Sequence, residues 1–186
     1  KLEEVLRKVA EDIKRSLEDL KRVLKEVADH IRRSLEELRR VLERVKKEIE
    51  DVLRELENSE LDKRAVDKIV KEVKEALDEL EEAVRRVAKE NEDALRKLAK
   101  DVEDVARRNK EAVDRARERV DKSDDDADKV AEDIRRDVRR LDEENRELAE
   151  RIKRAIEELD RKNKDLARRI EDAVRRLLEK IKEAVR

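Results

Sequence analysis

The sequence contains no Gly, Pro, Cys, Met, Phe, Tyr or Trp. At an ordinary Gly usage of about 7%, a chain of 186 residues would lack Gly by chance roughly once in a million. Each absence excludes a chemistry. Without thiols there is no disulfide, no thiolate metal site and no cysteine nucleophile. Without aromatic rings there is no base-stacking platform and no cage for a quaternary ammonium group. Without Gly there is no phosphate-cradling loop of the Gly-rich kinds. No apolar run exceeds two residues, which leaves no membrane span and no signal-peptide core. The chain begins at Lys1 rather than Met, so a leader or tag is expected to have been removed or omitted.

What remains is charge and aliphatic side chains. There are 53 Lys and Arg, 55 Asp and Glu and a single His, giving 58% charged residues at a net charge of only −2. The 37% that is hydrophobic consists of Ala, Val, Ile and Leu. Such a composition folds only if the apolar residues are periodic, since high charge with low hydrophobicity otherwise means disorder.

They are periodic. Leu2, Leu20, Leu38 and Leu56 recur at a constant interval of eighteen, as do Ile13, Ile31 and Ile49. Val66, Val84, Val102 and Val120 keep the same interval, as do Ile134, Ile152 and Ile170. Eighteen residues make about five turns of α-helix at 3.6 per turn, so the stripe returns to one side without drift. A heptad seam would impose left-handed supercoiling; this spacing calls for nearly straight helices. Each stripe covers an arc of about 140°, wide enough for a packed core.

Two segments interrupt the pattern, Glu57-Asn58-Ser59-Glu60 and Asp121 to Asp126. Ser59…Asp62 and Ser123…Asp126 have the capping-box spacing, which makes Ser59 and Ser123 the expected helix caps. Asn58 suits a left-handed helix exit. The pattern therefore predicts an all-α fold, with helices at 1–57, 60–121 and 124–186 in one long up-down-up three-helix bundle spanning 1–186. At 1.5 Å per residue each helix measures roughly 85–95 Å.

The uncharged polar residues inside the stripes are the informative ones. Ser16 and Ser34, Asn91 and Asn109, and Asn145 and Asn163 are pairs separated by the same interval, and the third copies, Val52, Val73 and Ile181, are apolar. Equal heights across the turns bring each Ser next to an Asn of the third helix. A buried amide without a partner is costly, so two cross-helix hydrogen-bonded layers are expected. One holds Ser16, Asn109 and Asn145; the other holds Ser34, Asn91 and Asn163. Asp12 and His30, also one interval apart, are further candidates for these layers. His30 lies at the stripe's edge, which favours an exposed or boundary position over membership.

No catalytic, cofactor or metal site is expected. General acid–base work needs a positioned partner and a pocket, and His30 has no second His, no thiol and no nucleophile to work with. The Glu-x-x-His signature of carboxylate-bridged metal bundles fails because Val27 stands at the required position. Basic and acidic residues are nearly balanced along every helix, so there is no nucleic-acid footprint and no cationic face for a membrane.

Long capped helices, aliphatic cores, interspersed surface charge and repeated polar layers together resemble de novo designed helical bundles with buried hydrogen-bond networks. The 18-residue spacing also resembles the straight bundles from which designed latch-and-cage switches and heteromers are made. That resemblance implies a designed scaffold without natural activity or natural compartment, soluble when expressed, monomeric and needing no partner. The polar layers would then set helix register and pairing specificity. The alternative is an interaction module, a subunit of a designed oligomer or a host for an added helix, with Val5, Val23 and Val41 as a second seam.

Overall fold

With nothing to break them, the periodic segments form three uninterrupted α-helices in the computed structural model, which describes residues 1–122 and 126–185. Helix α1 covers Leu2–Glu57, α2 covers Lys63–Lys122 and α3 covers Ala127–Val185. The described residues contain no strand. Glu3 and Glu4 occupy the first turn of α1, and Arg119 and Lys122 the last turn of α2, each on the side that the helix dipole favours.

The helix ends differ from the sequence expectation in an instructive way. Ser59 does not cap α2. Its hydroxyl donates to the Leu56 carbonyl at 2.6 Å, so it closes the end of α1 instead. Asn58 N–H reaches the Arg54 carbonyl and Ser59 N–H the Leu56 carbonyl, both at 3.2 Å. The Arg54 and Leu56 carbonyls are satisfied in this way, the second by a tightened bond over three residues, and no described residue has a positive φ. Helix α2 starts later than the capping box places it, at Lys63. Asp62 takes the capping position, its Oδ1 accepting from Arg64 N–H at 3.4 Å. Asp126 does the same for α3 through Asp128 N–H at 3.2 Å, and Ser123 lies outside the described residues.

The chain divides into two compact units, and every helix contributes to both. Unit 1 comprises residues 1–29 and 94–156; unit 2 comprises residues 30–93 and 157–186. In unit 2, α1 runs parallel to α3, with Arg44 bonded to Glu171 at 2.8 Å. Helix α2 runs antiparallel to both, as the Lys46–Glu81 and Lys180–Glu72 ion pairs fix. Its core joins Leu38, Ile49 and Leu56 of α1 to Val73, Leu77 and Val84 of α2 and Ile170, Val174 and Ile181 of α3. Side chains of this size contribute about 1.5–3 kcal/mol each when fully buried.

Unit 1 has the same directions, set by Lys1–Asp128 and Arg119–Asp133. Its terminal core is thinner. Val5, Val9 and Ile13 of α1 meet Val130, Ala131 and Ile134 of α3, while α2 adds only the half-buried Val113, Ala116 and Val120. A groove lined by Ile13, Ala112, Ala116, Ile134 and Leu141 stays open there because alanine is too short to fill it.

Candidate functional site: two buried polar layers

Four polar residues among those described are fully buried: Asn91, Asn109, Asn145 and Asn163, all at most 3% exposed. Each sits on a stripe position, so the helix itself carries the amide into the core. Burial of this kind must be matched by hydrogen bonds.

In unit 2 the match is reciprocal. Asn91 Nδ2 donates to Asn163 Oδ1 at 3.2 Å, and Asn163 Nδ2 donates back to Asn91 Oδ1 at 3.0 Å. Each amide has a second N–H. Asn91 sends it to the Val87 carbonyl one turn back, at 2.6 Å, and Asn163 sends it across to Ser34 Oγ at 3.3 Å. Unit 1 has the same pattern. Asn109 and Asn145 exchange bonds at 3.3 Å, Asn109 also reaches the Val105 carbonyl, and Asn145 reaches Ser16 Oγ at 2.9 Å. All four N–H hydrogens of each amide pair are therefore used. No buried side-chain N or O among the described residues lacks a partner.

The two serines are half-buried, and the two further candidates lie outside the amide pairs. Asp12 is exposed and lines a groove with Arg135 and Arg139 of α3. His30 is also exposed, with 53% of its side chain open to solvent, and its Nε2 stands 3.5 Å from Asp160 Oδ1.

Asp160 is the residue that sequence reasoning missed. It accepts from the Ser34 hydroxyl and from Lys164, whose Nζ is 3.0 Å from Oδ2. Burial pushes its carboxyl up, but the hydrogen bonds from Lys164, Ser34 and His30 outweigh that and hold it below the usual carboxylate value. A chain of hydrogen bonds thus runs Lys164–Asp160–Ser34–Asn163–Asn91–Val87. The available signal was position: Asp160 lies one turn before Asn163 and one full repeat after Asp142, which holds the equivalent place beside Asn145.

No protein-family model and no curated protein matches this chain. A solved structure described as "Computationally designed three helix bundle" is similar at 20% identity and a TM-score of 0.42, over 99% of this chain and 87% of that one. A likeness at that score carries no functional argument.

Chemically, the layers are closed. The amide N–H groups are all used, by the partner amides, the serines and the Val87 and Val105 carbonyls. Among the described residues no cluster of three or more His, Asp or Glu is arranged to hold a metal ion. No helix among them is long and apolar enough to cross a membrane.

Proposed function

We propose that this chain is a designed structural scaffold, without natural biochemical activity, cofactor or required partner, in which the two polar layers set helix register and pairing specificity. The reciprocal Asn–Asn pairing in both units carries this reading. An aliphatic stripe with an exact repeat discriminates weakly against a helix displaced by one repeat. A buried amide discriminates strongly, because away from its mate it strands donors and acceptors at about 1–3 kcal/mol each. The composition supports an engineered origin, and the absence of any nucleophile–base constellation in the sequence supports a non-enzymatic role.

The second reading, a host for an added helix, needs an uncovered apolar stripe. Val5 is buried, Val23 and Val41 are half-buried, and among the described residues Val185 is the large apolar side chain that stands exposed, at 49%. These observations favour the self-contained scaffold.

The test replaces Ser16, Ser34, Asn91, Asn109, Asn145 and Asn163 together with Val or Ile. Lost hydrogen bonds of about 1 kcal/mol net each are offset by aliphatic burial of about 1.5–3 kcal/mol per side chain. Stability should hold or rise, while solution mass after refolding should spread over several species. A variant markedly less stable yet still one species refutes the specificity reading.

A further inference from the structure

Helices α1 and α3 run side by side at a constant offset. Residue numbers differ by 127 in the Lys1–Asp128 pair of unit 1 and again in the Arg44–Glu171 pair of unit 2. Wherever that offset sets two Asp, Glu, Lys or Arg residues at one height, their signs are opposite, with one exception. Asp12 lies level with Arg139, Arg15 with Asp142, and Asp19 with Arg146, but Lys8 lies level with Arg135. One repeat on, the same place holds Glu26 and Lys153. Two repeats on, it holds Arg44 and Glu171, bonded at 2.8 Å. The flank is a row of ion-pair positions, and at Lys8 the row is broken by a second cation.

The break lies at the mouth of a groove of about 620 Å³ between α1 and α3 in unit 1. Val5 and Val9 form its floor and the half-buried Val138 its α3 wall. Lys8, Arg135 and Arg139 stand around it, and Arg139 Nε donates to the Arg135 carbonyl at 3.4 Å, which holds the two arginines together. Lys1 also lines the groove but is spent on Asp128. The Lys1 hydrogen bond and charge hold the Asp128 carboxyl low, and Arg135 adds a lesser pull from farther off. Glu4 and Asp12, one turn either side of Lys8, are the groove's carboxylates, so its three uncommitted cations outnumber them. Neither Lys8 nor Arg135 forms an ion pair among the described residues. The groove has the size of a small-molecule site, with an apolar base and a few convergent polar groups. The alkyl stems of its Lys and Arg residues extend the apolar surface.

We propose that this groove is a binding site for a small amphiphilic anion, an apolar body carrying one carboxylate or sulfonate. The body lies on Val5, Val9 and Val138, and the acidic group sits between Lys8 and Arg135, where the rest of the flank supplies a carboxylate of its own. An Arg fork meets such a group with two parallel N–H bonds, and Lys8 adds a point charge from the other side. The site lies outside the polar layers and does not depend on the scaffold reading.

The test uses the full chain at low salt, with 2-naphthalenesulfonate as probe and 2-naphthalenemethanol as its uncharged counterpart. The chain has no aromatic residue, so any ring-current shift of a valine methyl signal comes from the probe. The sulfonate should shift Val5, Val9 and Val138 saturably and leave Val45 and Val174 of unit 2 in place. Lys8→Glu restores the opposite-sign pair and should weaken binding by about tenfold or more. Lys21→Glu makes the same charge change at an exposed position off the groove and should leave binding unaltered. The alcohol should bind the parent about tenfold more weakly than the sulfonate. Shifts scattered along the helices, shifts that survive Lys8→Glu, or an alcohol that binds as tightly as the sulfonate overturn the inference. So does a doubled solution mass of the probe-free parent that Lys8→Glu abolishes, since the groove would then belong to a second copy of the chain. The sextuple layer variant tests the scaffold reading separately, so the failure of either is distinguishable from the failure of the other.

Discussion

Replacing Asn163 with Ile exposes the energetics of a layer most sharply. The substitution removes both partners of the Asn91 amide on the α3 side, the acceptor at 3.2 Å and the donor at 3.0 Å. Asn91 is 1% exposed, so neither its freed N–H nor its freed Oδ1 can turn to water. Two orphaned atoms at about 1–3 kcal/mol each outweigh the roughly 1.5–3 kcal/mol gained by burying the Ile side chain. Ser34 loses a donor but keeps Asp160 and partial access to solvent, so it adds little. The net expectation is a loss of about 1–3 kcal/mol. Adding Asn91→Val removes the stranded group as well, and the double variant should return to parent stability or exceed it. Urea denaturation followed by circular dichroism on the parent, both single variants and the double variant closes the cycle. A coupling of about 2 kcal/mol or more between the sites is predicted. Additive single effects would refute the claim that the amides satisfy one another.

Three further outcomes follow from the same geometry. Asp62→Ala removes the N-cap of α2 and should cost about 1 kcal/mol, read as a lower urea midpoint; no change would mean Asp62 is not the cap. The Asp160 carboxyl is held below its usual value, so its contribution is complete above the unfolded-state value, near 3.8, and is lost as pH falls through the lower folded value. Asp160→Asn should therefore flatten the pH dependence of the denaturation midpoint below about pH 4, and an unchanged acid limb contradicts the linkage. Ala116→Leu fills the open groove of unit 1 and should raise stability by about 0.5–2 kcal/mol, with slower amide exchange in the last turns of α2. A loss would mean that the groove is too tight for the added methyl groups.

The parts of this fold that were legible in the sequence are those that obey the repeat. Ile31, Ile49, Ile152 and Ile170 occupy positions that the repeat places on one face, and all four are fully buried. The four asparagines could be singled out because a stripe of aliphatic residues makes any amide conspicuous. What was not legible depends on geometry finer than the period. Ser59 fits a capping box by spacing, yet which helix end it serves is decided by the tight bonds from Asn58 and Ser59 back to Arg54 and Leu56. Asp160 was hidden among dozens of carboxylates; its spacing from Asn163 and Asp142 was the faint signal, and the placement of Ser34 across the α1–α3 contact picks it out. Cross-helix pairs such as Lys46–Glu81 and Arg119–Asp133 were hidden for the same reason, since intrahelical i,i+4 partners are available to nearly every charge.

The central claim is that four amides are buried, paired and closed to solvent, and one spectrum tests it directly. The chain has five asparagines and no glutamine, so the side-chain NH2 region of a ¹⁵N-resolved spectrum holds five pairs of signals. Asn58, exposed between α1 and α2, serves as the internal reference. The other four pairs should exchange with solvent orders of magnitude more slowly than Asn58. Scalar couplings across the hydrogen bonds should link Asn91 with Asn163 and Asn109 with Asn145. Four signals exchanging as fast as Asn58, with no coupling between helices, would contradict the account.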